Sequence, residues 1–153
     1  MAFDRLIHAV DRWARQTGRT DVFAQIGESD APPEYIRYAK FLTISEFRQR
    51  IAEADLVIAH AGTGSILDAL AIGKPILIMP RQAKRMETRN DHQIATAHQF
   101  KDFPGVSIAM DENALSDFLF DTSRIQVNYP RLPKASGDII DCIRSFIHGQ
   151  SKT

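Results

Sequence analysis

The first apolar residues recur at helical spacing. Phe3, Leu6, Ile7, Val10 and Trp13 or Ala14 share one face, and Thr17-Gly18 stops the element, so a helix is expected from Phe3 to Arg15. Asp21 to Gly27 reads as a strand, and Pro32-Pro33 forces an irregular connection towards a second short strand near Lys40 to Thr43. Ser45 is the expected N-cap of a helix that sets Phe47, Ile51 and Ala54 at helical intervals. The period then changes. Leu56 to Ala59 and Pro75 to Met79 are continuous apolar runs, separated by a small-residue turn, Gly62 to Ser65, and a helix from Ser65 to Ile72. After a loop from Pro80 to Asn90, His92 to Phe100 reads as helix, Val106 to Met110 as extended and Glu112 to Phe120 as helix. A Pro-containing linker from Val127 to Lys134 leads to an amphipathic segment, Asp138 to Ile147, with Ile139, Ile140, Ile143, Phe146 and Ile147 on one stripe. Apolar strands without polar alternation, separated by helices, are those buried on both faces, which predicts a Rossmann-like, doubly wound parallel α/β sheet.

Length and composition narrow this little. The 153 residues make one domain, 1–153, with 135–153 as its C-terminal helix and tail. Nineteen Lys and Arg balance nineteen Asp and Glu, which removes any broad electrostatic grip, and nucleic acid is not an expected partner. The single cysteine, Cys142, can form neither an internal disulfide nor a zinc cluster, so a reducing, cytoplasmic setting is expected. Met1 to Val10 mixes acid and base with its apolar residues, unlike a secretory leader, and no window approaches the length of a membrane span.

The chemistry concentrates where the strand Leu56 to Ala59 runs through His60 and Ala61 into Gly62-Thr63-Gly64-Ser65 and a helix start. Glycines admit a phosphate close to the backbone, and the unpaired N–H groups of a first helical turn, at the positive end of its dipole, favour an anion. In an open α/β sheet this position, beyond the C-terminal ends of the strands, is where ligands bind. The alternative is a tight turn in which Ser65 and Asp68 form a capping-box-like pair. A dinucleotide fingerprint would need a third glycine where Leu67 stands, and Gly73-Lys74 is followed by Pro75, so nicotinamide dinucleotides and a P-loop ATPase are disfavoured. Arg81, Lys84, Arg85 and Arg89 crowd one loop, and such a run is ordinarily solvated. No metal-ligand spacing is evident.

Four ordered segments carry a resemblance: His60 to Ser65, Asp68 to Pro75, Pro80-Arg81-Gln82, and Asn90-Asp91-His92-Gln93. Together with Phe3 to Ile7 and Phe23 to Gly27, they make the chain similar to the C-terminal, nucleotide-sugar-binding domain of glycosyltransferase family 28. The likeness is greatest to stand-alone subunits of two-part transferases that extend lipid-diphosphate-linked sugars, including exopolysaccharide glucuronosyltransferases and the dolichol-linked N-acetylglucosamine transferase. It implies the C-terminal half of a GT-B glycosyltransferase, with no cofactor. Gly62, Thr63, Gly64 and Ser65 would hold the donor diphosphate and Asp68 the ribose. Asp91, His92 and Gln93 would read the hydroxyls of the donor sugar; without the resemblance, Asp91 is a helix cap and His92 a solvated side chain. Arg81, beside Gln82 at the strand end, would pair with a carboxylate if the donor is UDP-glucuronic acid. His60 is the candidate catalytic residue, placed to donate to a phosphate or to the acceptor.

The resemblance also implies partners: a UDP-sugar donor, a lipid-diphosphate-linked sugar acceptor, and a membrane-associated subunit that brings the chain to the cytoplasmic membrane face as a peripheral protein. The C-terminal stripe could dock that subunit or pack on its own sheet. Family members begin with a β-strand and a turn ahead of the Phe3 to Ile7 match, so a sheet lacking its usual first, central strand is expected. Two other readings stay open: a non-catalytic UDP-sugar-binding or scaffold subunit, and a UDP-sugar 2-epimerase-like enzyme.

Overall fold

The computed structural model describes residues 2–126. The expected C-terminal helix, its apolar stripe and Cys142 lie outside the described residues. The chain opens with α1 (Asp4–Thr17), which buries Leu6, Ala9, Val10, Trp13 and Ala14 along one stripe. Gly18 ends it in the left-handed conformation, φ 69°, which turns the chain so that the Arg19 N–H reaches the Ala14 carbonyl at 2.9 Å. Strands β1 (Phe23–Gln25) and β2 (Arg37–Ala39) follow, then α2 (Ile44–Glu53), β3 (Val57–His60), α3 (Thr63–Ala71), β4 (Ile76–Met79), α4 (His92–Gln99), β5 (Val106–Ile108) and α5 (Glu112–Phe120).

Three expectations are corrected. The second strand is Arg37–Ala39, not Lys40 to Thr43. Its placement is set by Asp11 of α1, whose buried carboxylate accepts the N–H groups of Glu34, Tyr35 and Ile36 at 3.3, 2.9 and 2.8 Å. The cap of α2 is Thr43 and not Ser45. Thr43 Oγ1 accepts the Glu46 N–H (3.2 Å) while Glu46 accepts the Thr43 N–H (2.8 Å), so two otherwise unpaired donors are satisfied reciprocally. Helix α3 starts at Thr63, with Gly62 in the cap position and no side-chain cap, so Ser65 lies inside the first turn and the Ser65–Asp68 pair does not form.

All strand pairs are parallel. β1 pairs with β2, and β3, β4 and β5 form a separate sheet in that order, with His60 of β3 opposite Met79 of β4. Successive β4 side chains alternate between two cores. Leu77 and Met79 join α1 and α5 on one face, and Ile76 and Ile78 join Ile66, Ala69 and Leu70 of α3 with Ala97 and Phe100 on the other. This is the doubly wound arrangement. Among the described residues β1–β2 and β3–β5 are not hydrogen-bonded to each other, although Val22, Ala24, Leu56 and Ile58 from the two sheets pack on the same α1–α5 cluster. Val57 donates to the Pro75 carbonyl (3.0 Å), so the alternation of a parallel ladder turns the backbone groups of Ile58 away from β4, to the side of β3 that has no strand partner among the described residues.

Candidate functional site

The site gathers at the C-terminal ends of β3 and β4, which the register sets side by side. His60 closes β3, and after Ala61 and Gly62 the chain turns into α3, whose first turn carries no acidic residue and no side-chain cap. Thr63, Gly64 and Asp68 are exposed and Ser65 half-buried, with Asp68 one turn beyond Ser65 on the same helix. The two glycines differ in role. A Cβ on Gly62 would stand 2.2 Å from His60 Cε1 and 2.6 Å from Nδ1, so its missing side chain makes room for the imidazole. Nothing lies within 4 Å of a Cβ on Gly64, which faces open space.

β4 delivers Pro80, Arg81 and Gln82 to the same edge. Among the described residues, the buried side-chain polar atoms that lack a partner are Trp13 Nε1, His60 Nδ1, Arg81 Nε and Gln82 Oε1. Three of these four belong to neighbouring residues at the two strand ends. Leaving such an atom unpaired in the interior costs about 1–3 kcal/mol, so their concentration at these two strand ends singles them out as the candidate polar site. Burial, the Arg81 charge and then His92 push the His60 imidazole down to about 4. His60 is therefore neutral at neutral pH: a hydrogen-bonding group, not a cation, and a weak base. Burial likewise lowers the Arg81 guanidinium, which nonetheless stays charged.

The start of α4 closes the rim. His92 is exposed and near enough for its charge to act on His60, and its Nδ1 contacts Asn90 Oδ1. Asp91 occupies the cap position of α4 but makes no cap bond; its carboxylate accepts the Ala83 N–H instead (2.8 Å). Gln93 is buried and accepts the Arg81 N–H at 3.2 Å. Asp91 and Gln93 thus hold the loop that carries Arg81 and Gln82, while His92 faces outward. Lys84, Arg85 and Arg89 are exposed, so of the basic run only Arg81 is drawn into the protein.

Sequence reasoning passed over the residues beneath the site. Arg5, Glu87 and the half-buried Glu112 form an ion-pair cluster under the loop. Arg5 lies within the Phe3 to Ile7 segment of the resemblance, but nothing local pairs it with Glu87 or Glu112, since the three lie far apart along the chain.

The Glycosyltransferase family 28 C-terminal domain matches residues 1–122. The chain belongs to this family. Among curated relatives, the domain is 28% identical over 122 residues to "UDP-N-acetylglucosamine transferase subunit ALG13" of Candida albicans, covering 71% of this chain and 40% of that protein. It is 32% identical over 109 residues to the Homo sapiens protein of the same name, covering 64% of this chain and 9% of the relative. It is 26% identical over 135 residues to "UDP-N-acetylglucosamine--N-acetylmuramyl-(pentapeptide) pyrophosphoryl-undecaprenol N-acetylglucosamine transferase" of Christiangramia forsetii, covering 76% of this chain and 36% of the relative. The domain therefore spans less than half the length of these relatives. Two solved structures, "Spinosyn Forosaminyltransferase SpnP" and the "Glycotransferase of kitacinnamycin", superpose with TM-scores of 0.50, at 18% and 12% identity, over 93% and 92% of this chain and 34% of each of theirs. They share its fold, the Rossmann-like half of a GT-B glycosyltransferase.

Proposed function

We propose that the chain is the donor-binding part of a hexosyltransferase that moves a sugar from a UDP-sugar to a lipid-diphosphate-linked saccharide, acting with a membrane-associated partner subunit. The observation that carries this reading is the row of unpaired polar atoms on His60, Arg81 and Gln82 beside the uncapped start of α3. The first-turn N–H groups of Thr63, Gly64 and Ser65 would bind the diphosphate with Arg81 as counter-charge, and Asp68 would accept from the ribose hydroxyls. Neutral His60 would hydrogen-bond a phosphate oxygen or the acceptor, and His92 would meet the donor sugar. Rate enhancement would come from stabilising the charge that develops on the leaving UDP, through groups already in place.

The relatives' names support N-acetylglucosamine as the transferred sugar, and a lipid-linked acceptor for at least one of them. A UDP-glucuronic acid donor would instead have its carboxylate meet Arg81. No helix among the described residues is long and apolar enough to cross a membrane, so the partner would carry the lipid-linked acceptor.

Calorimetric titration with UDP, UDP-N-acetylglucosamine, UDP-glucuronic acid and NAD tests the reading. Saturable binding of UDP and of one UDP-sugar, absent for NAD and abolished by Gly64→Trp, is expected; a Cβ at Gly64 meets nothing within 4 Å, so the bulk of the substituted side chain is directed into the open space of the site. With the partner subunit present, transfer should disappear on Asp68→Ala. Unchanged transfer would identify a scaffold.

A further inference from the structure

Beneath the proposed donor site lies a side-chain arrangement that the site residues themselves do not explain. Arg5, on the first turn of α1, keeps only 8% of its side chain exposed. Its guanidinium makes a bidentate pair with Glu87, Nε to Oε1 at 2.7 Å and Nη2 to Oε2 at 2.9 Å. It also donates to Glu112 Oε2 (3.0 Å) and to the Pro80 carbonyl (3.1 Å). The Glu87 side chain, 11% exposed, accepts the Gln82 N–H at 2.9 Å through the same Oε2. Burial alone would raise the Glu87 carboxyl, but Arg5 and the Gln82 N–H hold it below the usual range, so it stays ionised.

A second link runs through Phe3. The guanidinium carbons of Arg5 and Arg81 lie 5.3 and 5.2 Å from the centre of its buried ring. Glu87 also acts electrostatically on Arg81. Arg81 thus has a ring and a carboxylate anchored on Arg5 to one side, while its Nε finds no hydrogen-bond partner among the described residues. Bidentate, desolvated pairs of this kind fix geometry more than they add stability, because the Coulombic gain offsets a large desolvation penalty.

We propose that Arg5 is a positioning residue for the donor site, acting through Glu87 and Phe3 to set the Arg81 guanidinium and the Gln82 backbone. The proposal rests on the UDP-sugar reading of that site. Arg5 touches no donor itself. It joins the first turn of α1 to the end of β4, so the geometry of the diphosphate counter-charge is fixed by a helix on the opposite face of the sheet.

Arg5→Lys keeps the charge and loses the fork; Glu87→Gln keeps the shape and loses the charge, and serves if the first variant does not fold. UDP affinity should fall roughly tenfold in either, as for Arg81→Gln. If Arg5 acts through Arg81, Arg5→Lys combined with Arg81→Gln should bind UDP within about threefold of Arg81→Gln alone, whereas independent effects would multiply. A readout without ligand is the Arg81 Hε resonance, which the Phe3 ring 5.2 Å from the guanidinium carbon should displace in the wild type and which should return towards its ordinary position in both variants. An unmoved Hε signal, unchanged affinity or multiplicative losses would overturn the proposal. A wild-type protein that fails to bind UDP while Arg81 Hε still responds to Arg5→Lys would overturn the donor-site reading and leave the Arg5–Arg81 linkage standing.

Discussion

His60 and Gly62 make one unit at the residue scale. The imidazole occupies the space a Gly62 side chain would need, with Nδ1 buried and unpaired beside Arg81. Gly62 has φ −87° and ψ 130°, a conformation open to any residue, so its requirement is steric and not conformational. Gly62→Ala should therefore fold, with a melting temperature within a few degrees of wild type, and lose UDP binding because the ring must swing out; calorimetry with a thermal melt checks both. His60 itself should titrate near 4 in an NMR pH series, rising towards its ordinary value in Arg81→Gln as one of its two positive neighbours is removed. A midpoint that stayed near 6.5 in the wild type would remove the buried, cation-flanked environment described for it.

Among the elements, short polar anchors decide where strands and helices begin. Asp11 lies on the buried side of α1, 6% exposed, and takes three backbone N–H groups from the segment entering β2. Removing it leaves those donors without their charged acceptor, so Asp11→Ala should cost about 2–3 kcal/mol in denaturant unfolding. The Thr43 capping box is exposed, and Thr43→Ala should cost only about 1 kcal/mol. The difference between these two variants, measured on one denaturation scale, separates an anchor that sets strand pairing from one that trims a helix end. Asp11 explains why the second strand lies off the position read from apolar periodicity, whereas the α2 cap is a local pair, Thr43 with Glu46 three residues on. Periodicity reports which residues face a core, whereas a buried carboxylate 23 to 25 residues away along the chain selects which residues pair.

For the whole molecule, the divided sheet sets the pattern of stability. Among the described residues β4 is fully buried with neighbours on both sides, while β1 and β2 form a two-stranded ribbon and β3 has a strand partner on one side. Amide exchange should be slowest in β4 and markedly faster in β1 and β2, since few buried contacts protect the ribbon. Acid should act through the two buried carboxylates. Burial raises Asp11 and Glu87, but backbone N–H groups for Asp11, and Arg5 with the Gln82 N–H for Glu87, outweigh it and leave both below their ordinary 3.8 and 4.5. The unfolded chain thus binds protons first, so the stability these groups contribute is complete above about pH 5 and is lost as the pH falls through the carboxylate range. Denaturant midpoints measured from pH 7 to pH 3 should decline in the wild type and decline less steeply in Asp11→Asn.

Local patterns by themselves determined the alternation of helices and apolar strands, the glycine turn after His60 and the family to which the chain belongs, because each depends on residues adjacent in sequence or one helical turn apart. The doubly wound parallel sheet follows from the same logic, since only strands covered on both faces are apolar throughout. Tertiary structure alone decided which polar atoms remain unpaired at His60, Arg81 and Gln82, that Asp91 and Gln93 brace a loop, and that Arg5 and Glu87 lie beneath it. Those outcomes depend on burial and on contacts between residues up to about a hundred positions apart. Such contacts leave no local period, because the free energy that makes a buried charge tolerable resides in a partner from another part of the chain.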